Sequence, residues 1–530
     1  MKTNHLIEVM LATVFASCLF VGLTSSASVY DPWCDLDGDG DIDIFDVARI
    51  ASCYGTSGEP LKAKAALEYD SGWINITDKR GQAFEVSHGL SSTDFMVDTT
   101  GRVSVDDGSH QNHYGLATYV TTASEWNQTY GGARDDEGWS VVQTSDGGFA
   151  IAGTAKSFGA ADSDFWLVKT DASGNHLWNQ TYGGTSHDWG CSIVQTLDGG
   201  YIIAGRTYFS ETAYDFRLVR VDALGNHLWN QTYGGTGYDN ALSVVQTEDG
   251  GFAVVGVTES LGASSDVWLV KTDAGGNLEW NQTYGGTSYE AGWSVVQTND
   301  GGYAIAGTTG SLGAGATDAW LVRVDALGNH LWNQTYGGTS WDEGYSMVQT
   351  LDGGFAIAGY TESSGAGAAD FWLVKTDAVG NLVWSQAYGG IDNELGLSVV
   401  QTMDGGYAIA GHTYSFGAGG IDVWLVKTDA GGNHTWSQTY GGTSEDCGYS
   451  VVQTLDGGYA IAGYTDSFGA GGEDVWLIRA YEPGKEPLVC VEYGLAWTAS
   501  TENTITLYRG EDDPYWNYVR VRIWRIEGTP

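Results

Sequence analysis

One heptapeptide recurs along most of this chain. W-[NS]-Q-[TA]-Y-G-G begins at Trp126, Trp178, Trp229, Trp280, Trp332, Trp384 and Trp436, a spacing of 51 or 52 residues. A period of that length confines the chain to a solenoid, a propeller or an array. Within one period the text breaks at turn signals into WSVVQT, FAIAGT, FWLVKTD and HLWNQTYGG, separated by DGG, SFGAADSD and ASGN. Short pieces rich in Val, Ile, Thr, Tyr and Trp and bounded by Gly, Asn or Asp read as strands. Four strands per unit is the count of a propeller blade. The 78 glycines against 6 prolines agree, since they suit many tight turns.

The two ends of the repeat decide between ring and rod. First-strand text, SVVQT or a near variant, starts at Ser140, Ser192, Ser243, Ser294, Ser346, Ser398 and Ser450. Fourth-strand text also occurs seven times, but its first copy, at Trp126, precedes every first strand, and the last three-strand set, ending near Arg479, has no fourth strand after it. A solenoid has no reason to balance its ends so, because it needs polar caps instead. A ring fills the vacancy with the orphan and removes an open edge. The expectation is an all-β chain whose residues 124–481 form a seven-bladed β-propeller with 3+1 strand closure. The TDASGNHLW text resembles the tryptophan-docking repeat of quinoprotein propellers, and the units as a whole look like repeats of large extracellular archaeal and bacterial surface proteins.

Repetition turns each position into a ring. An acid precedes every first strand: Asp136, Asp188, Asp239, Glu290, Asp342, Glu394 and Asp446. A second acid ring precedes the third strands at Asp164, Asp215, Asp266, Asp318, Asp370, Asp422 and Asp474. Both fall on the face with the longer loops. Crowded carboxylates either accept local backbone N–H bonds or hold cations. Sevenfold identity favours turn capping, since a binding site needs blades that depart from consensus; the first ring stays a possible ligand face together with Trp189 and Trp341. Those two, with Tyr238 and Tyr289, differ between blades, and either stack on sugar rings or cover their own loops. The fourth-strand tryptophans and third-strand Trp166, Trp268, Trp320, Trp372, Trp424 and Trp476 are expected to pack between blades, with Arg217 taking the second blade's place.

A formal charge of −43, from 23 basic and 66 acidic residues, repels phosphate backbones and anionic membranes, so nucleic acid is excluded as a partner. Residues 1–28 read as a secretory signal peptide, with an apolar run Val9 to Leu23 and cleavage expected near Ala27; an uncleaved anchor is the alternative. No later segment reaches the length of a membrane span. N-x-T sequons at Asn75, Asn127, Asn179, Asn230, Asn281, Asn333 and Asn433 are candidate glycosylation sites on export.

Residues 29–60 carry a twelve-position loop from Asp35 to Asp46 that fits Ca2+ coordination. Its oxygens come from Asp35, Asp37, Asp39, Asp43 and Asp46, with the Asp41 carbonyl and the turn glycine Gly40. Aspartate at the twelfth position followed by VARIASCYG resembles a dockerin repeat, over about 25 residues. That resemblance implies calcium binding; cohesin docking uses two repeats, and one is present. Cys34 and Cys53 bracket the module and are the expected disulfide, whereas Cys191, Cys447 and Cys490 have no evident partner.

Residues 61–123 and 482–530 are both strand-like, and neither makes a comfortable fold alone. Because ring closure brings its entry and exit strands into one blade, the propeller can sit in a loop of another domain, and the flanks are expected to form one discontinuous β-sandwich. The SGW start and WNYVRVRIW end resemble H-type lectin sandwiches, which bind sugars. No nucleophile elbow, metalloprotease helix or phosphate loop is present. The sequence therefore predicts a secreted or cell-surface, non-catalytic protein that binds carbohydrate or an extracellular protein. A secreted polysaccharide-degrading enzyme and a structural envelope component are the alternatives.

Overall fold

The computed structural model describes residues 125–209, 213–262 and 264–483 with their side chains, and the backbone of 65–75, 82–87, 95–104, 110–114, 118–122, 488–492, 495–501, 504–509 and 518–526. The calcium loop, the Cys34 and Cys53 pair and the signal segment lie outside the described residues. Among the described residues all regular structure is β.

Seven four-stranded antiparallel sheets follow one another. The first blade runs Asp136–Gln143, Phe149–Ala155, Asp164–Thr170 and His176–Tyr182 from inside to outside. The last blade takes three strands from Asp446–Gln453, Tyr459–Thr465 and Asp474–Ala480, and its fourth from the other end of the repeat, Trp126–Tyr130. That closing pair runs from Val475 opposite Tyr130 to Arg479 opposite Trp126. The ring inferred from the unpaired ends is thus the ring observed.

The repeated letters hold blade to blade. Each inner-strand serine accepts a backbone N–H from the next blade: Ile193 N to Ser140 Oγ at 3.3 Å, and so on round to Val141 N on Ser450 at 3.2 Å, which completes the circle. The glutamine three residues later accepts in the opposite sense, from the preceding blade, with Ser145 N on Gln195 Oε1 at 2.9 Å and Leu455 N on Gln143 Oε1 at 3.0 Å. Fourth-strand tyrosines reach the next blade's outer turn, as Tyr182 OH donates to Gly225 O at 2.7 Å. Each bond contributes about 1 kcal/mol; their value lies in fixing register around a closed ring. Apolar clusters fill the gaps between blades, with Trp166 of the first blade packed against Ala460, Val475 and Leu477 of the last.

The flanks form a separate compact unit. Tyr518–Ile526 pairs with both Ala65–Asn75 and Phe95–Ser104, and the latter also pairs with His110–Tyr114. Thr504–Arg509 pairs with Gln82–Ser87 and Leu495–Thr501, and Leu488–Glu492 with Thr118–Thr122. Every sheet of this unit therefore draws strands from both sides of the propeller.

Candidate functional site: the propeller channel

All seven inner strands carry a β-bulge at the same place. In the first blade Gly138 pairs with Gly153 and Ser140 with Ala152, so Trp139 is an extra residue with no partner. Bulges re-aim side chains. Here the consequence is that adjacent residues, Trp139 and Ser140, both line the channel, which plain alternation along a strand forbids. The bulge residues are Trp139, Cys191, Leu242, Trp293, Tyr345, Leu397 and Tyr449, and all seven line one cavity of about 540 Å3. Two residues earlier stands a second varied set that includes Glu137, Trp189, Asn240 and Glu343, opposite Thr154, Arg206, Val257 and Tyr360 on the second strands. Of these Trp189, Asn240 and Arg206 also reach the cavity, as does Tyr238.

The wall is aromatic and asymmetric. Trp139 stacks on Tyr449 with ring centres 4.2 Å apart, and Trp293 meets Tyr345 edge-on at 5.1 Å. In the second blade the Arg206 guanidinium lies 4.8 Å from the Trp189 ring, 5.2 Å from Tyr214 and 5.8 Å from Tyr238. Four buried polar atoms of this wall lack any hydrogen-bond partner: Trp139 Nε1, Trp293 Nε1, Asn240 Oδ1 and Arg206 Nε. Buried donors and acceptors left unmade are costly, so these four call for partners from water or a ligand in the cavity.

The first acid ring has another task. Asp136 accepts Gly132 N at 2.8 Å on one oxygen and Lys156 N and Ser157 N at 2.9 Å on the other. Its six counterparts each cap the equivalent glycine, from 2.7 Å for Glu290 on Gly286 to 3.3 Å for Asp188 on Gly184, and all seven acids are fully buried. In the second ring, burial above all, then the neighbouring first-ring acid, raises the pKa of Asp266; Asp318, Asp370, Asp422 and Asp474 are raised chiefly by burial too. Among the described residues no group of three or more His, Cys, Asp or Glu side chains has a metal-binding arrangement. Arg217 pairs with buried Asp188 at 2.8 Å, which accounts for the lost tryptophan.

Of the varying aromatics, Trp189 and Tyr238 come together at the cavity, Trp189 on an inner strand rather than a loop. Trp341 and Tyr289 are exposed and do not line the cavity. Sequon residues Asn127, Asn179, Asn281 and Asn333 accept the third-strand indole N–H at 3.1–3.2 Å, Asn230 pairs with His227, and Asn433 sits in an outer turn on Asp429. Asn75 ends a flank strand. Cys191 and Cys447 are free.

Beside the channel, Glu137 and Glu473 share a hydrogen bond near Lys156. Burial, then mutual repulsion, pushes Glu473 up to about 7, and burial raises Glu137. A raised carboxyl holds its proton in the folded state after the unfolded chain has released it, so this pair's contribution falls as pH rises from about 4.5 to 7. Glu473→Gln removes the penalty. Its melting midpoint relative to the parent should be unchanged at pH 4.5 and higher by roughly 1–2 °C at pH 8; an equal difference at both pH values would refute the shared-proton account.

The described core thus defines a seven-bladed β-propeller whose channel is walled by blade-specific side chains. No family model matches the chain. Over 197 residues it is 27% identical to the regulatory protein FlaEY of Caulobacter vibrioides, a match that spans 33% of this chain and 20% of that protein. Similar solved structures include the Pan2 WD40 domain of Neurospora crassa (9% identity, 70% of this chain, 98% of that chain, TM-score 0.42). The polysaccharide lyase Uly1 is another (12% identity, 65% and 89%, TM-score 0.41).

The sequence pointed to Trp189 and Tyr238 of this wall but not to the seven bulge residues. Their signal was present, however: in the stretch G-x-S before VVQT or a near variant, with Ala241 in place of the glycine in the third blade, the middle letter changes from blade to blade while the serine repeats.

Proposed function

We propose that the propeller is a non-catalytic binding module that takes a carbohydrate into its channel, on a secreted or cell-surface protein whose Asp35 to Asp46 loop holds Ca2+. One observation carries the reading: side chains that depart from the repeat converge on an aromatic-walled cavity of about 540 Å3. That volume suits a small ligand, aromatic faces stack on sugar rings, and the unpartnered Trp139 and Trp293 N–H groups and Asn240 carbonyl suit hydroxyls.

Among the described residues none lining the cavity bears a carboxyl group, so the paired acids of glycoside hydrolysis have no counterpart there. Glycan-array binding of the purified chain, with and without a calcium chelator, is the test. Saturable binding that weakens at least tenfold in Trp293→Ala with an unchanged melting midpoint is expected. Release of reducing sugar from a polysaccharide panel would replace this reading with an enzymatic one; an empty array with capture of an extracellular protein would replace carbohydrate by protein.

A further inference from the structure

We infer that the saccharide is acidic and that Arg206 receives its carboxylate, an inference that rests on the binding reading above. The described propeller contains eleven lysines and arginines, and ten lie within 4 Å of a carboxylate oxygen. Arg206 is the exception among the described residues, and it is the one cation on the cavity wall. In a chain of net charge −43, a cation with no acid beside it among the described residues is the anomaly.

Its surroundings hold it ready without neutralising it. Three rings face the guanidinium and fix its plane. One Nη1 hydrogen goes to the neutral Tyr238 hydroxyl, and the buried Nε–H meets no acceptor. A half-buried guanidinium that has given up water for ring faces gains more from an arriving anion than one in bulk solvent, because the local dielectric is lower. Trp189, beside it, offers a face on which the ring carrying that carboxylate can lie. The unpartnered Asn240 carbonyl, also on this wall, then accepts from a hydroxyl of the same sugar.

The test uses the full chain, tetramers of galacturonate, glucuronate, guluronate and mannuronate, the methyl ester of each, a neutral cello-tetraose and a sulfated oligosaccharide. Quenching of tryptophan fluorescence reports binding. At least one uronate tetramer should bind tenfold or more tighter than its methyl ester. Arg206→Gln should remove that preference, and Arg206→Lys should retain part of it; Trp293→Ala should weaken acid and ester alike and keep the preference. Binding of esters and neutral sugar as tightly as uronates, with Arg206→Gln silent, overturns the inference and leaves the carbohydrate reading standing. Preference for the sulfated probe, or for an acidic peptide run in parallel, also overturns it. No binding to any saccharide by chain of normal melting behaviour sinks both.

Discussion

Replacing Glu125–Gly132 by a Gly/Ser linker of equal length should lower the melting midpoint by about 5–10 °C and blur its single transition. The segment is small, but it touches two blades at once. On the last blade it supplies the antiparallel partner of Val475 to Arg479 and the acceptor, Asn127 Oδ1, for Trp476 Nε1 at 3.2 Å. On the first blade Tyr130 OH donates to Gly174 O at 2.6 Å, and Trp126 meets Phe149 edge-on with centres 6.1 Å apart. Five ladder positions, two side-chain bonds and the burial of an indole and a phenol together amount to several kcal/mol. The effect should exceed that sum. An opened blade exposes a strand edge and loosens the serine circle, whose closing bond joins Val141 to Ser450. Differential scanning calorimetry decides: an unaltered midpoint means the ring is held shut by something other than this strand. Tyr130→Phe, which deletes one bond, should cost only about 1 kcal/mol.

That prediction was available from the letters, because a missing strand at one end and a surplus strand at the other can be counted. The channel was not so easily read. Arguing from rings of identical residues leads to the acids, and those prove to be caps, buried and bonded to the glycine N–H groups beside them. The arginine that replaces a third-strand tryptophan was visible as an oddity, but its buried partner Asp188 lies on another strand and needed coordinates. What hid the site was phase. A strand read with period two places Ser140 and Trp139 on opposite faces; the bulge between Gly138 and Ser140 puts both on the channel. A bulge adds no letter that marks it. Its signature is a glycine on the neighbouring strand, and glycine in this chain is too frequent to stand out. Trp189 shows the telling quality, variation between blades, but it stands on an inner strand and not in the loop its sequence context suggests.

The same geometry yields the other large effect. Gly359→Ala should destabilise the propeller by about 3 kcal/mol or more, and Gly353→Ala, six residues earlier, by only about 1. A methyl at Gly359 would sit 1.7 Å from the Glu343 carbonyl oxygen and 2.7 Å from its carbon, both backbone atoms of the bulged strand that cannot turn aside. Gly353 has φ +82°, so alanine there is strained, but its nearest neighbour is the Ala378 methyl at 3.9 Å and the turn can adjust. Denaturant midpoints of the two variants separate the accounts: equal losses would mean that backbone conformation, not the close approach across the bulge, sets the cost. Binding supplies a second readout. The bulge that Gly359 permits carries Tyr345 into the cavity, so any Gly359→Ala chain that still folds should bind ligand more weakly, while Gly353→Ala should bind as the parent does. Counterparts of Gly359 stand in every blade, at Gly153, Gly205, Gly256, Gly307, Gly411 and Gly463, each with its Cβ position 1.8–2.0 Å from a bulge carbonyl. The frame must repeat for the bulge to form in each blade, and because the bulged side chain projects away from the sheet pairing, its identity is left free to differ.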